Sequence, residues 1–227
     1  MSRVVPSVLY HVAILVAVAI AIARREPTFC SVVGAVGLGG AALRARAWRT
    51  ARGTLAVANL VTLLRLGIVV ALGWLFGAVP RALFVAIVIS LLVLDAIDGY
   101  LARSRGETSE LGASLDMETD ALTVMLLTLL LYARVSIGPW VLVAGLWRYV
   151  LAGAVAIVPA LGDTPPSRLY RTIFGILMIT LAGAFVPWPP FAHASAAIGT
   201  ALVSFSFLHS LARSRAFRRS LKERVEP

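Results

Sequence analysis

Long apolar runs separated by short polar connections make up most of the chain. A helix needs about 20 apolar residues to cross the hydrocarbon core of a bilayer. Seven runs approach or exceed that length, at roughly 5–23, 57–79, 82–103, 115–133, 139–159, 170–187 and 191–212. Strand-like alternation is absent, and a helix satisfies its own backbone hydrogen bonds in lipid. The pattern therefore predicts an all-α integral membrane protein.

The last six runs form one predicted unit, a six-helix membrane domain over residues 51–215. Residues 1–50 are predicted to be an N-terminal hydrophobic extension that ends in an Arg-rich linker. Its run 5–23 fits a retained helix better than a cleaved signal peptide, because only Arg3 precedes it. The Gly-rich run 30–43 fits either a second, short span or an interfacial segment. Residues 216–227 are predicted to be a basic cytoplasmic tail.

The charges agree with a membrane location. Only 14% of the residues are charged and 59% are hydrophobic, whereas about a quarter of a soluble domain is charged. The net charge of +10 comes from arginines between the apolar runs, so we expect no nucleic-acid partner. With both ends of the six-helix unit in the cytoplasm, fourteen basic residues lie on that side and only Arg81 and Arg134 lie opposite. This asymmetry predicts a multi-pass protein of the cell (inner) membrane.

Aspartates are concentrated at the cytoplasmic ends of two predicted helices. Asp95 and Asp98 are spaced i, i+3 on one, and Asp116 and Asp120 are spaced i, i+4 on the next. These spacings place each pair on one helix face. Because a tight cytoplasmic loop joins the helices as antiparallel neighbours, we expect both pairs at a similar depth.

Four carboxylates in a low-dielectric site need a compensating cation. Their hard oxygen ligands favour Mg²⁺, Mn²⁺ or Ca²⁺ over zinc, and two such ions suit phosphoryl transfer. Two alternatives stay open. One is an ion-pair network with Arg65 and Arg103, and the other is a cation-coupled membrane transporter, which would instead spread carboxylates along a path through the bilayer.

The same segment carries a specific motif. Residues 95–103 read Asp-Ala-Ile-Asp-Gly-Tyr-Leu-Ala-Arg, and residues 112–120, after eight intervening positions, read Gly-Ala-Ser-Leu-Asp-Met-Glu-Thr-Asp. This stretch resembles the full motif of the CDP-alcohol phosphotransferase family at all eight of its fixed positions. The segment Asn59-Leu-Val-Thr-Leu-Leu-Arg65 resembles the family's shorter upstream motif. The resemblance covers roughly residues 55–215.

The resemblance implies a six-helix, homodimeric fold with a polar cavity open to the cytoplasm, and Mg²⁺ or Mn²⁺ as cofactor. It assigns metal ligation to Asp95, Asp98 and Asp116. Asp120 would share in ligation and act as general base toward the acceptor hydroxyl, which attacks the β-phosphate and releases CMP. The cytidine pocket would be lined by Gly99, Ala102 and Gly112, with Arg103 nearby.

The alcohol acceptor and the lipid-bearing substrate stay open at this point. We favour CDP-diacylglycerol as donor by analogy with small members of the family. The continuation Asp120-Ala-Leu resembles the branch that transfers from a CDP-amino alcohol to diacylglycerol. Candidate contacts to phosphate or acceptor are Thr62, Arg65, Glu118, Arg148, Arg168 and Arg171. For His11, His193 and His209 we expect packing roles.

Overall fold

A computed structural model describes residues 4–29, 31–32, 57–104, 110–157 and 168–214. This part of the chain is helical, and every predicted apolar run corresponds to one helix. The α-helices are α1 (Val4–Arg24), α2 (Val57–Leu75), α3 (Arg81–Ser104), α4 (Glu110–Arg134), α5 (Leu142–Ile157), α6 (Arg168–Gly183) and α7 (Pro189–Arg213), and a 3₁₀ turn, Pro139–Val141, precedes α5. The run 30–43 falls outside the described residues, apart from residues 31–32, and so do the linker before α2 and the basic tail.

Two helices of the described part are both long and apolar enough to cross a membrane, over Arg81–Leu101 and Pro189–Arg213. The other apolar helices are shorter. Their outer faces are nevertheless apolar, since Leu64, Ile179 and Phe205 are each more than half exposed. An apolar surface of this kind suits lipid better than water. The fold is thus an all-helical assembly of apolar helices, and the number of spans stays a prediction.

Helix α4 occupies the centre of the molecule, with α1, α2, α5 and α6 packed around it. From Ala121 to Leu131 every residue is buried, as expected for a helix that is apolar on all sides. At Gly145, α5 approaches so closely that an added Cβ would lie 2.9 Å from the Met125 Cα. The first turns of α4 are polar, so its acidic side chains lie at the edge of this core.

The N-terminal helix belongs to the same packed body. Ile14, Ala17, Val18 and Ala21 of α1 are each at most 3% exposed, and the helix contacts α4 and α5. Just past its end, both Glu26 carboxylate oxygens accept hydrogen bonds of 2.9 Å from the Arg134 guanidinium. The interpretation of residues 5–23 as a helix is correct, and the helix packs on the core.

Candidate active site

Three aspartates from two helices meet at the edge of the core. Asp95 comes from α3, and Asp116 and Asp120 come from one face of α4, as their i, i+4 spacing predicts. One carboxylate oxygen from each lies within 4.8 Å of the others. The three side chains are 26%, 38% and 21% exposed, respectively. Hence the cluster is partly shielded from solvent but reachable from outside.

Arg65 of α2 lies at the centre of this cluster, with its side chain only 3% exposed. Its Nη1 is 2.9 Å from Asp95 Oδ1 and 2.5 Å from Asp116 Oδ1. Its Nη2 donates a hydrogen bond to Asp120 Oδ1. Helix α2 packs against both α3 and α4, so Arg65 links the two carboxylate-bearing helices. The ion-pair network considered from the sequence is therefore present at Arg65.

The same residues fit a divalent cation. One guanidinium compensates one of three carboxylates, so two negative charges remain when all three are ionised. Their hard oxygen atoms are the ligand type that Mg²⁺ and Mn²⁺ prefer. The described oxygens belong to Asp95, Asp116 and Asp120; the side chain of Asp98 lies outside the described part.

Glu118, between the last two aspartates, faces a different group. Its side chain is 11% exposed, and its Oε1 accepts a 2.6 Å hydrogen bond from Arg148 Nη2 of α5. His11 Nε2, from α1, lies 3.5 Å from the same oxygen. Glu118, a candidate for phosphate or acceptor contact from the sequence, is thus a buried carboxylate paired with an arginine. We expected a packing role for His11 and did not predict this polar contact. The sequence signal for it was a lone histidine in an apolar run.

A cavity of about 180 Å³ begins beside Asp120 and Arg148. The rest of its wall is mainly apolar and comes from α4 to α7, with Val124, Phe174 and Leu177 among its residues. A second cavity of about 230 Å³ shares Phe174 with the first. Concave apolar spaces with a few polar groups at one end are typical of ligand sites. The charged residues that line this cavity are one acidic and one basic, Asp120 and Arg148.

The remaining candidates are distributed as follows. Thr62 is buried one turn before Arg65 on α2, and Arg171 is exposed near the start of α6. None of the contacts among the described residues joins Arg171 to the aspartates. The backbone of Gly99, Ala102 and Arg103 lies in the last turns of α3. Gly112 lies in the first turn of α4, and Arg168 begins α6. The described part of the structure does not include the side chains of Ala102, Arg103 and Arg168.

Comparison with known proteins agrees with the motif. The sequence model of a family described as CDP-alcohol phosphatidyltransferase matches residues 55–208, which include α2 to α6 and most of α7. No match is found among curated proteins or solved structures. The match spans more than half of the 227 residues and contains the whole aspartate cluster. The chain therefore belongs to the CDP-alcohol phosphatidyltransferase family.

Proposed function

We propose that this protein transfers a substituted phosphate from CDP-diacylglycerol to a small polar alcohol, with release of CMP. Family membership carries the coarser activity, which is phosphotransfer from a CDP-alcohol to an acceptor. The observation that carries the proposal is the cluster of Asp95, Asp116 and Asp120 around Arg65 inside the matched region. The transporter alternative expects carboxylates along a path through the bilayer. The described aspartates instead gather at one place, which favours an enzyme.

The metal would be held by Asp95, Asp98, Asp116 and Asp120. Two Mg²⁺ or Mn²⁺ ions bound by these residues would supply charge neutralisation for the diphosphate and for the departing CMP. Arg65 holds the carboxylates of α3 and α4 together. By engaging Oδ1 of Asp120, it also orients that side chain. Such orientation reduces the motion that must be arrested when the substrates bind.

Asp120 is the proposed general base. It lines the cavity as well as the aspartate cluster, so an acceptor hydroxyl in the cavity lies next to its carboxylate. Asp120 takes the hydroxyl proton while the acceptor oxygen forms a bond to the β-phosphorus of the donor. The bond from that phosphorus to the bridging oxygen breaks, and CMP leaves with the electron pair. The cytidine would lie along Gly99, Ala102, Arg103 and Gly112.

Arg148 supports an acceptor that carries an anionic group. Arg148 lines the same cavity as Asp120, and a guanidinium can bind a phosphate or carboxylate there. Thr62, Arg168 and Arg171 stay candidates for further phosphate contacts. The proposed setting is a homodimer in the cell (inner) membrane, with six spans in each catalytic domain and the site facing the cytoplasm.

The apolar wall of the cavity favours a second candidate function. Val124, Phe174 and Leu177 offer no hydrogen bonds to a polar acceptor, but they can contact the hydrocarbon part of diacylglycerol. In that case the donor is a CDP-amino alcohol of the choline or ethanolamine type. The two candidates differ in which substrate carries the lipid, so one substrate matrix separates them.

The test combines each donor with each acceptor. Purified protein in detergent receives Mg²⁺ or Mn²⁺ with CDP-diacylglycerol, CDP-choline or CDP-ethanolamine as donor. The acceptors are glycerol 3-phosphate, serine, inositol 1-phosphate and diacylglycerol. CMP release is measured, and the lipid product is identified by mass spectrometry. We expect release with CDP-diacylglycerol and one anionic acceptor, and loss of that release with EDTA. Release only with a CDP-amino alcohol and diacylglycerol would favour the second candidate, and no release from any pair would contradict both.

A further inference from the structure

Helix α1 lies outside the region that matches the family, residues 55–208, yet it reaches the candidate active site. His11 is the polar residue that it brings there. The side chains of His11 and Glu118 are 13% and 11% exposed, and His11 Nε2 lies 3.5 Å from Glu118 Oε1. The edge of the His11 ring meets the ring of Tyr149 on α5, with 5.9 Å between the centroids. His11 is therefore packed between α4 and α5 next to a buried carboxylate.

The position of His11 is set along the whole length of α1. Past the helix end, Glu26 pairs with Arg134, and the Arg25 guanidinium lies 5.6 Å from the centre of the Tyr132 ring. An α-helix rises about 1.5 Å per residue, so the length of α1 from His11 to its end is close to the length of α4 from Glu118 to Arg134. Because the two ends of this stretch, His11 and Glu26, meet Glu118 and Arg134 in the same order along α4, the two helices run parallel. Contacts at both ends restrict sliding of α1 along α4.

A continuous chain of contacts leads from His11 to the cavity. Glu118 Oε1 accepts a 2.6 Å hydrogen bond from Arg148 Nη2, and Arg148 lines the cavity together with Asp120. The second oxygen of Glu118 and the Nε of Arg148 are buried and make no hydrogen bond among the described residues. The pair thus depends on few contacts for its orientation. A second polar neighbour on Oε1 restricts the rotation of the Glu118 carboxylate, and with it the direction of the Arg148 guanidinium.

We propose that His11 is a positioning residue for the acceptor side of the site, which makes the N-terminal helix a part of the catalytic unit. His11 acts through Glu118, which directs Arg148 toward the cavity beside Asp120. The inference rests on the proposed function, in which Arg148 binds the anionic group of the acceptor. Loss of His11 then weakens acceptor binding and leaves donor binding and the chemical step largely unchanged.

The experiment compares three variants of the full chain. His11→Ala removes the contact, His11→Gln restores a hydrogen-bond donor at similar reach, and Val12→Ala is the matched control on an exposed position of α1. CMP release is followed with CDP-diacylglycerol and with glycerol 3-phosphate, serine or inositol 1-phosphate, whichever gives the fastest release. We expect His11→Ala to raise the acceptor KM about threefold, toward the low end of what loss of one hydrogen bond causes, because the 3.5 Å distance between His11 Nε2 and Glu118 Oε1 is longer than an ordinary hydrogen bond. The donor KM and kcat should change by less than about twofold, and His11→Gln should restore most of the acceptor KM.

A double variant tests the route through Glu118. If His11 acts only through that carboxylate, His11→Ala should add almost nothing to the acceptor KM of Glu118→Gln, since coupled residues are not additive. An unchanged acceptor KM in His11→Ala, or equal changes for both substrates that His11→Gln does not reverse, would overturn the proposal. If His11→Ala cannot be purified as a monodisperse protein, His11→Phe takes its place, since it keeps a ring but has no hydrogen-bond donor: a selective rise in acceptor KM for His11→Phe supports the proposal, and no rise contradicts it. Wild-type protein that releases no CMP would instead contradict the proposed function, and the inference would fall with it.

Discussion

Replacement of Arg65 by Gln is a direct test of how three carboxylates coexist at the edge of an apolar core. Arg65 is 3% exposed and contacts Asp95, Asp116 and Asp120. Gln retains hydrogen-bonding capacity and much of the volume but loses the positive charge. The variant therefore leaves three neighbouring carboxylates without their guanidinium. We expect it to be less stable than the wild type when no divalent metal is present.

The size of the effect follows from burial. Removing one partner of a fully buried ion pair costs about 3–5 kcal/mol. The three aspartates are 21–38% exposed, so water screens the charges that remain. We therefore expect Arg65→Gln to lower the free energy of unfolding by about 2–3 kcal/mol. For a chain of 227 residues, this lowers the apparent melting temperature by about 4–12 °C. Arg134→Gln is the matched control, since Arg134 and Glu26 are 44% and 45% exposed and such pairs contribute about 0–1 kcal/mol.

Added Mg²⁺ should reverse the deficit. Two unit charges about 4 Å apart interact by roughly 4 kcal/mol at an effective dielectric constant near 20. A cation among the aspartates is therefore repelled by Arg65 in the wild type and meets no such charge in Arg65→Gln. The assay is thermal unfolding in detergent, with EDTA and with a Mg²⁺ titration, for wild type, Arg65→Gln and Arg134→Gln. We expect Mg²⁺ to raise the melting temperature of Arg65→Gln more than that of the other two. Equal Mg²⁺ stabilisation of all three, or an Arg65→Gln variant that melts within about 2 °C of wild type in EDTA, would refute the reasoning.

Two further predictions concern the base and the packing of α5. Asp120→Asn should lower CMP release at least about 100-fold, because an amide cannot take the hydroxyl proton. Thermal stabilisation of the protein by the CDP-linked donor should persist in this variant. CMP release within tenfold of wild type would show that Asp120 is not the base. Gly145→Ala should lower stability by about 1–3 kcal/mol, because the added Cβ lies 2.7 Å from Thr128 Oγ1 and 2.9 Å from Met125 Cα. Gly153→Ala lies on the same helix, with no atom within 4 Å of its added Cβ, and should instead stabilise the protein by up to about 1 kcal/mol. Thermal unfolding compares the two variants. Equal losses of stability in both would contradict the packing argument.

Much of the fold was predictable because its signals are local. Hydropathy and helical spacing depend on residues close in sequence, and the predicted runs coincide with α1 to α7 to within a few residues. The pairing of Asp116 with Asp120 on one face of α4 follows from 3.6 residues per turn. The motif across residues 95–120 also pointed to the family that the comparison confirms. Metal ligation and the acceptor stay predictions, since no contact in the described residues tests them.

Contacts between distant helices depended on the tertiary structure. The local sequence pattern predicted that Arg65 contacts phosphate or forms an ion pair. The packing of α2 against α3 and α4 is what places its guanidinium among the aspartates. His11 looked like an apolar packing position, and only the parallel course of α1 beside α4 brought it to Glu118. The sequence by itself determined the helices and the acidic faces, because hydrogen bonding and side-chain periodicity act within one segment. The partner of each buried charge was decided by the tertiary structure, because helix packing brings together residues far apart in sequence. Arg65 and Asp116 lie more than 50 positions apart, and His11 and Glu118 more than 100.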